Sequence, residues 1–152
     1  MSVSWIVAVI ASGAVSLLHG YIMYLETFIW EQAAVKIFRM KKELAVSTKE
    51  LAANQGYYNF MLSIGLIWGI IEGSASTLLF FNLCVLSAAV FGAVTSSPRI
   101  LVSQGLPGFV GALTAYFALE RTSLSLVIGS LLLLSSSVAT SLVYNKRKLG
   151  SV

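Results

Sequence analysis

The chain has 152 residues, of which 57% are hydrophobic and 11% charged, with ten Lys and Arg against six Glu and no Asp. Soluble domains carry about 25% charged residues, so this balance excludes an ordinary water-soluble globule, a disordered tail and a nucleic-acid-binding arm. A single Cys, Cys84, and a single His, His19, exclude an intrachain disulfide framework and a Cys- or His-rich metal cluster.

A bilayer core of about 30 Å takes roughly 20 apolar residues of helix to cross, and that length is the ruler for the chain. The first apolar run covers residues 3–30. No Lys or Arg precedes it, so it lacks the charged start of a cleavable secretory signal and is expected to be a permanent span. Residues 31–47 interleave Lys36, Arg39, Lys41 and Lys42 with Val35, Ile37, Phe38, Met40 and Leu44. That is the pattern of an amphipathic segment lying on the membrane, with anionic lipids as the expected partner of the stretch Lys36–Lys49. Ser47 with Glu50 three residues on has the spacing of a capping box, which starts the next helix near Thr48 and leads into a second span at 56–72. The third span, 77–95, follows the polar stretch Glu72–Ser76 and ends at Pro98, which removes a backbone donor and disfavours helix at the residue before it. The fourth covers 100–119 and the fifth 123–144. The expected fold is all-α, a polytopic transmembrane helix bundle of five spans forming one membrane domain.

Positive charge is retained on the cytoplasmic side, which orients the spans. With the C-terminus cytoplasmic and the N-terminus outside, Lys36, Arg39, Lys41, Lys42, Lys49, Arg99, Lys146, Arg147 and Lys148 all lie inside, and Arg121 alone lies outside. An even number of crossings would mix these clusters. Trp5, Trp30 and Tyr144 fall near span ends, where aromatic rings anchor at the interface. The expected location is the cell membrane, multi-pass, and the inner membrane in a bacterium.

Within lipid, helices approach through small residues. Gly65, Gly69 and Gly73 repeat every four residues on the second span, and Ala88, Gly92, Gly105, Gly108, Gly111 and Gly129 offer further notches. Packing within the chain is one use of the Gly65/Gly69/Gly73 ridge and a homo-oligomer seam is the other. Ser135, Ser136 and Ser137 are placed to bond back to their own helix carbonyls, and Cys84 reads as an apolar filler.

Ionisable groups inside a span cost roughly 2.5–3.5 kcal/mol on insertion scales, so each is a candidate for function. His19 and Glu26, seven residues apart, share one face of the first span about 10 Å apart along the axis. Tyr21 and Tyr24 flank them. Taking Trp30 as the inner interface puts Glu26 about 6 Å deep and His19 about 16 Å deep. Asn54, Gln55, Tyr58 and Asn59 cluster at the cytoplasmic mouth of the second span, and Gln104 lies about 7 Å inside the fourth, just before Pro107, which frees a carbonyl near Ser103. Glu26, Asn59 and Gln104 therefore converge at one depth, whereas Glu72, Asn82 and Glu120 fall near the outer face as loop residues. The candidate ligand-binding residues are His19, Tyr21, Tyr24, Glu26, Asn54, Gln55, Tyr58, Asn59 and Gln104. Two readings stay open: a hydrogen-bonded network that fixes helix packing, and a cavity open to the cytoplasm that binds or transports a small polar or amphipathic ligand, or relays protons.

These residues carry a resemblance. His19-Gly-Tyr21-Ile-Met-Tyr24-Leu-Glu26-Thr-Phe-Ile-Trp30, Asn54-Gln-Gly-Tyr57-Tyr58-Asn59 and Gln104-Gly-Leu-Pro107 resemble, in that order and over about the first 119 residues, a family of small, mainly bacterial integral membrane proteins known as domain of unknown function 1304. The resemblance implies four core spans, so the fifth is an addition. It strengthens the grouping of His19, Glu26, Asn54, Gln55, Asn59 and Gln104 into one site and supplies no activity.

The sequence carries no phosphate-binding glycine loop, nucleophile elbow or metal-ligand spacing, and no enzyme class, cofactor or metal is implied. Beside ligand binding or transport stand an intramembrane enzyme acting on a lipid or quinone with Glu26 and His19 as acid and base, and a structural or assembly subunit of a membrane complex.

Overall fold

The structure, a computed structural model, describes residues 2–119 and 124–150, the side chains at 124 and 149 excepted. All regular elements among these residues are helical: α1 (Val3–Phe28), α2 (Trp30–Lys36), α3 (Lys42–Ser47), α4 (Lys49–Ile71), α5 (Ala75–Thr95), a π turn (Leu101–Gly105), α6 (Leu106–Phe117) and α7 (Leu124–Gly150). Glu120 and Arg121, expected on the outer face, lie outside the described residues.

Three helices, α1, α5 and the segment Ser125–Lys148 of α7, are long and apolar enough to cross a membrane. The expected second and fourth spans do not reach the same measure. α4 has the length but carries Lys49, Glu50, Asn54, Gln55 and Asn59 in its first half, and α6 is 12 residues long. Ala8, Ala34, Ala89, Ala115, Ser12 and Ser16 are buried, while Leu17, Ile71, Leu131 and Leu142 are exposed. Small residues share the interior with Leu66, Leu78 and Val85, and the large aliphatics left on the outside suit surroundings that are themselves apolar.

The chain divides into two compact units, residues 1–15 with 65–152, and residues 16–64. In the first, α5 is the central element and packs against α6, α7 and the π turn. α4 ends on a Schellman motif: Gly73 takes φ +67, its N–H bonds the Ile70 carbonyl, and the Ser74 N–H bonds that of Gly69. Gly73 is thus a helix stop and not the third member of a packing ridge, and a Cβ there would meet nothing within 4 Å. A Cβ at Gly65 would strike Phe81, and one at Gly69 would press on Leu78, so this part of the ridge is covered by α5 of the same chain. Ser74 then caps α5 by accepting the Thr77 N–H at 3.2 Å.

Pro107 sits in the first turn of α6, where its missing N–H is not needed. The expected interruption before it takes the form of the π turn, whose last bond runs from the Leu106 N–H to the Leu101 carbonyl. Gly105, Gly108 and Gly111 face Ala89, Val85 and Asn82 of α5. Asn82 is the principal correction to the sequence reading, because it is 0% exposed and not a loop residue. α5 starts seven residues earlier, so Asn82 lies about 10 Å along the helix. Its Nδ2 donates to Ser12 Oγ at 2.9 Å and to the Leu78 carbonyl at 2.8 Å. Of the three serines expected to bond to their own helix, Ser135 and Ser136 do so, while Ser137 donates to the Ser87 carbonyl and Ser87 to that of Leu133, fastening α7 to α5.

In the second unit, α2 and α3 form a short hairpin whose turn places Arg39 at φ +55, with the Met40 N–H on the Ala34 carbonyl. The expected capping box is absent. Ser47 closes α3 by donating to the Leu44 carbonyl, and Thr48 receives the Trp30 indole N–H at 3.1 Å.

Candidate functional site

Within the second unit, residues 16–28 of α1 and 49–63 of α4 run antiparallel. Ser16 and Ser63 bind each other's backbone carbonyls, at 3.0 and 2.9 Å. Gly56 lets α4 come close at the other end, since a Cβ there would collide with Thr27 and press on Glu26 and the Met23 carbonyl. Between these two contacts His19, Asn59 and Glu26 meet.

Asn59 is 7% exposed and bridges the two ionisable residues. His19 Nδ1 lies 2.8 Å from Asn59 Oδ1, and Asn59 Nδ2 donates to Glu26 Oε2 at 2.8 Å. The second hydrogen of Nδ2 goes to the Gln55 carbonyl at 3.2 Å. This last bond fixes which way the amide faces, because reversing it would set its oxygen against a carbonyl oxygen. An amide oxygen accepts and never donates, so His19 must carry its proton on Nδ1. In the neutral ring Nε2 then holds a lone pair. His19 is 1% exposed, and Nε2 has no hydrogen-bond partner. Thr27 Oγ1, one residue beyond Glu26, is also buried without a partner. No cation lies within ion-pair distance of Glu26 among the described residues.

Depth along the helices pairs Glu26 with Asn59 and Gln104, and leaves His19 about 10 Å away along α1. The structure keeps the pairing of Glu26 with Asn59 and adds His19 through Asn59. Gln104 is half-buried on the π turn of the other unit. Gln55 takes part through its backbone carbonyl, its side chain being exposed like that of Asn54. Tyr21, Tyr24 and Tyr58 are exposed and make no hydrogen bond to the cluster among the described residues, and Tyr24 packs against Phe28. Ser16, Ser63, Gly56 and Thr27 enter from the structure and not from the sequence reading. A spacing signal for Gly56 is nonetheless present, since a glycine three residues before Asn59 sits one turn away on the same helix face.

Chemically, the arrangement offers an acceptor at Nε2 and a carboxyl at Glu26, held at fixed separation by a neutral amide. It is a poor path for a proton. Transfer through Asn59 would require the amide to pass through its imidic acid form, because its donor and acceptor are different atoms. Among the described residues no three His, Cys, Asp or Glu side chains are grouped as metal ligands.

Comparison with known proteins gives two matches and one absence. Residues 13–116 match the family described as "Protein of unknown function (DUF1304)". The chain is also 32% identical, over 117 residues, to "Uncharacterized protein YpaA" of Lactococcus lactis subsp. lactis (strain IL1403), an overlap covering 74% of this chain and 98% of that protein. No solved structure matches. The family match holds His19, Glu26, Asn59 and Gln104, and stops before α7. On a match that spans most of its length and every residue of the cluster, the chain belongs to the DUF1304 family.

Proposed function

We propose that the chain is an integral membrane protein that crosses the bilayer five times, N-terminus outside and C-terminus cytoplasmic, and binds a small polar or amphipathic ligand at His19, Asn59 and Glu26. The apolar lengths of α1, α5 and α7 support the membrane placement. The count of five adds α4 and the π turn with α6, and rests on the distribution of positive charge.

The observation that carries the binding reading is the buried His19 Nε2, which has no hydrogen-bond partner. Leaving such an atom unmet costs about 1–3 kcal/mol, as it also does at Asn82 Oδ1, and here the cost falls on a titratable ring joined through Asn59 to a carboxyl. The ligand is expected to give Nε2 a hydrogen bond from a hydroxyl or amine, with its apolar part in the surrounding lipid. Mass spectrometry of the protein purified in mild detergent tests this. A molecule retained by the wild type and lost in both His19→Ala and Glu26→Gln, at unchanged helix content, supports the reading; equal recovery from all three overturns it.

An acid–base enzyme acting on a lipid or quinone is the second reading, favoured by Asn59 holding an imidazole and a carboxyl in one buried cluster, where each could act directly on a substrate. A Glu26→Gln protein that still binds the molecule but no longer converts it would select this reading. Loss of a partner protein, with no bound molecule in any form, would select an assembly role.

A further inference from the structure

We propose that the α2–α3 hairpin holds the headgroup of an anionic phospholipid in a pocket of about 280 Å³ at the end of α1. α1 is long and apolar enough to cross a membrane and ends at Phe28, and the pocket begins at Phe28 and Ile29. It therefore sits where hydrocarbon gives way to headgroups. Phe28, Ile29 and Val35 supply apolar lining suited to the first methylenes of a lipid chain. Trp30, Glu31, Lys42 and Lys49 supply the polar part.

The charges in this lining do not cancel. Lys49 pairs with Glu31 at 2.9 Å, which leaves Lys42 without an acidic partner among the described residues. One positive charge thus faces a space bordered by hydrocarbon, and Lys36, Arg39 and Lys41 of the same hairpin raise the potential around it. A phosphodiester complements this charge, and an acyl ester complements the apolar side. Trp30 forms a wall and does not plug the space, because its N–H is held by Thr48 and its ring lies 5.8 Å from that of Phe38. The volume is at the small end for a ligand pocket, enough for a headgroup and not for a whole lipid. The site shares no residue with the His19 cluster, so either can fail without the other.

Trp30 is a built-in reporter. With Trp5 and Trp68 replaced by Phe, it is the one remaining tryptophan. The protein is placed in phosphatidylcholine nanodiscs containing a fraction of brominated phosphatidylglycerol, phosphatidylethanolamine or phosphatidylcholine, and quenching of Trp30 is measured. Brominated phosphatidylglycerol is expected to quench most. Lys42→Ala should lower that preference about fivefold, the share of one lysine at an anionic surface, with Lys42→Arg retaining it. Lys36→Ala, on the same hairpin but outside the lining, should change it less than Lys42→Ala does. Equal quenching by the three lipids, or equal effects of the two lysines, overturns the proposal. So does displacement by millimolar inorganic phosphate, which would assign the pocket to the free anion.

Discussion

Two buried asparagines, one in each unit, are built on the same plan. Asn59 gives one amide hydrogen to the carbonyl four residues back and the other to Glu26 on α1. Asn82 gives one to the carbonyl four residues back and the other to Ser12 on α1. Their oxygens differ. Asn59 Oδ1 accepts from His19, so the amide joins two ionisable groups. Asn82 Oδ1 has no hydrogen-bond partner and occupies the space that a Cβ at Gly111 would take. The same side chain, equally buried, connects titratable chemistry in one place and spaces helices in the other. Burial of an amide is therefore uninformative about function until its partners are known.

Substitutions at and around the two amides test this contrast, and the largest effect is expected on the structural side. Gly111→Leu forces a side chain into the space of the Asn82 amide and should cost about 3 kcal/mol, read as a drop in thermal unfolding temperature in detergent. Asn59→Leu and Asn82→Leu should each cost about 1–3 kcal/mol in the same assay, since each strands buried partners. They should part company in mass spectra, where Asn59→Leu loses the bound molecule and Asn82→Leu keeps it; loss from both would erase the distinction between the two amides. Glu26→Gln should cost less than about 1 kcal/mol, because a glutamine oxygen still accepts the Asn59 N–H, and yet should abolish binding. The smallest effect is expected from Ser137→Ala, about 0.6 kcal/mol for one interhelical bond, with the bound molecule unaffected.

How far these features are legible in the chain depends on whether the signal is local. His19 and Glu26 stand out because an ionisable residue in an apolar run is conspicuous alone, and their seven-residue spacing places them on one face. The all-helical class follows from the apolar runs, and the break before Pro107 from the geometry of proline. Asn82 reads as a loop residue because its apolar run starts at Thr77, and two residues at a helix start decide whether a side chain counts as loop or interior. Its partners Ser12 and Gly111 are 70 and 29 residues away, beyond any periodic pattern. Gln104 groups with Glu26 on depth alone, which is one coordinate of three. The bridge through Asn59 is hidden for the converse reason. Distance along one helix suggests that His19 and Glu26 do not cooperate, whereas a side chain from a neighbouring helix reaches both.

The serine pair that fastens α7 to α5 has a consequence for how the polypeptide is sorted. The family match ends before α7, so this helix lies outside the matched region, which contains His19, Glu26 and Asn59. On the five-span reading, adding one crossing reverses the side on which the chain finishes, and Lys146, Arg147 and Lys148 then end on the side that retains positive charge. On that same reading α7 would act as an orientation lock, biasing the insertion of the spans before it, with its serines keeping it attached to α5.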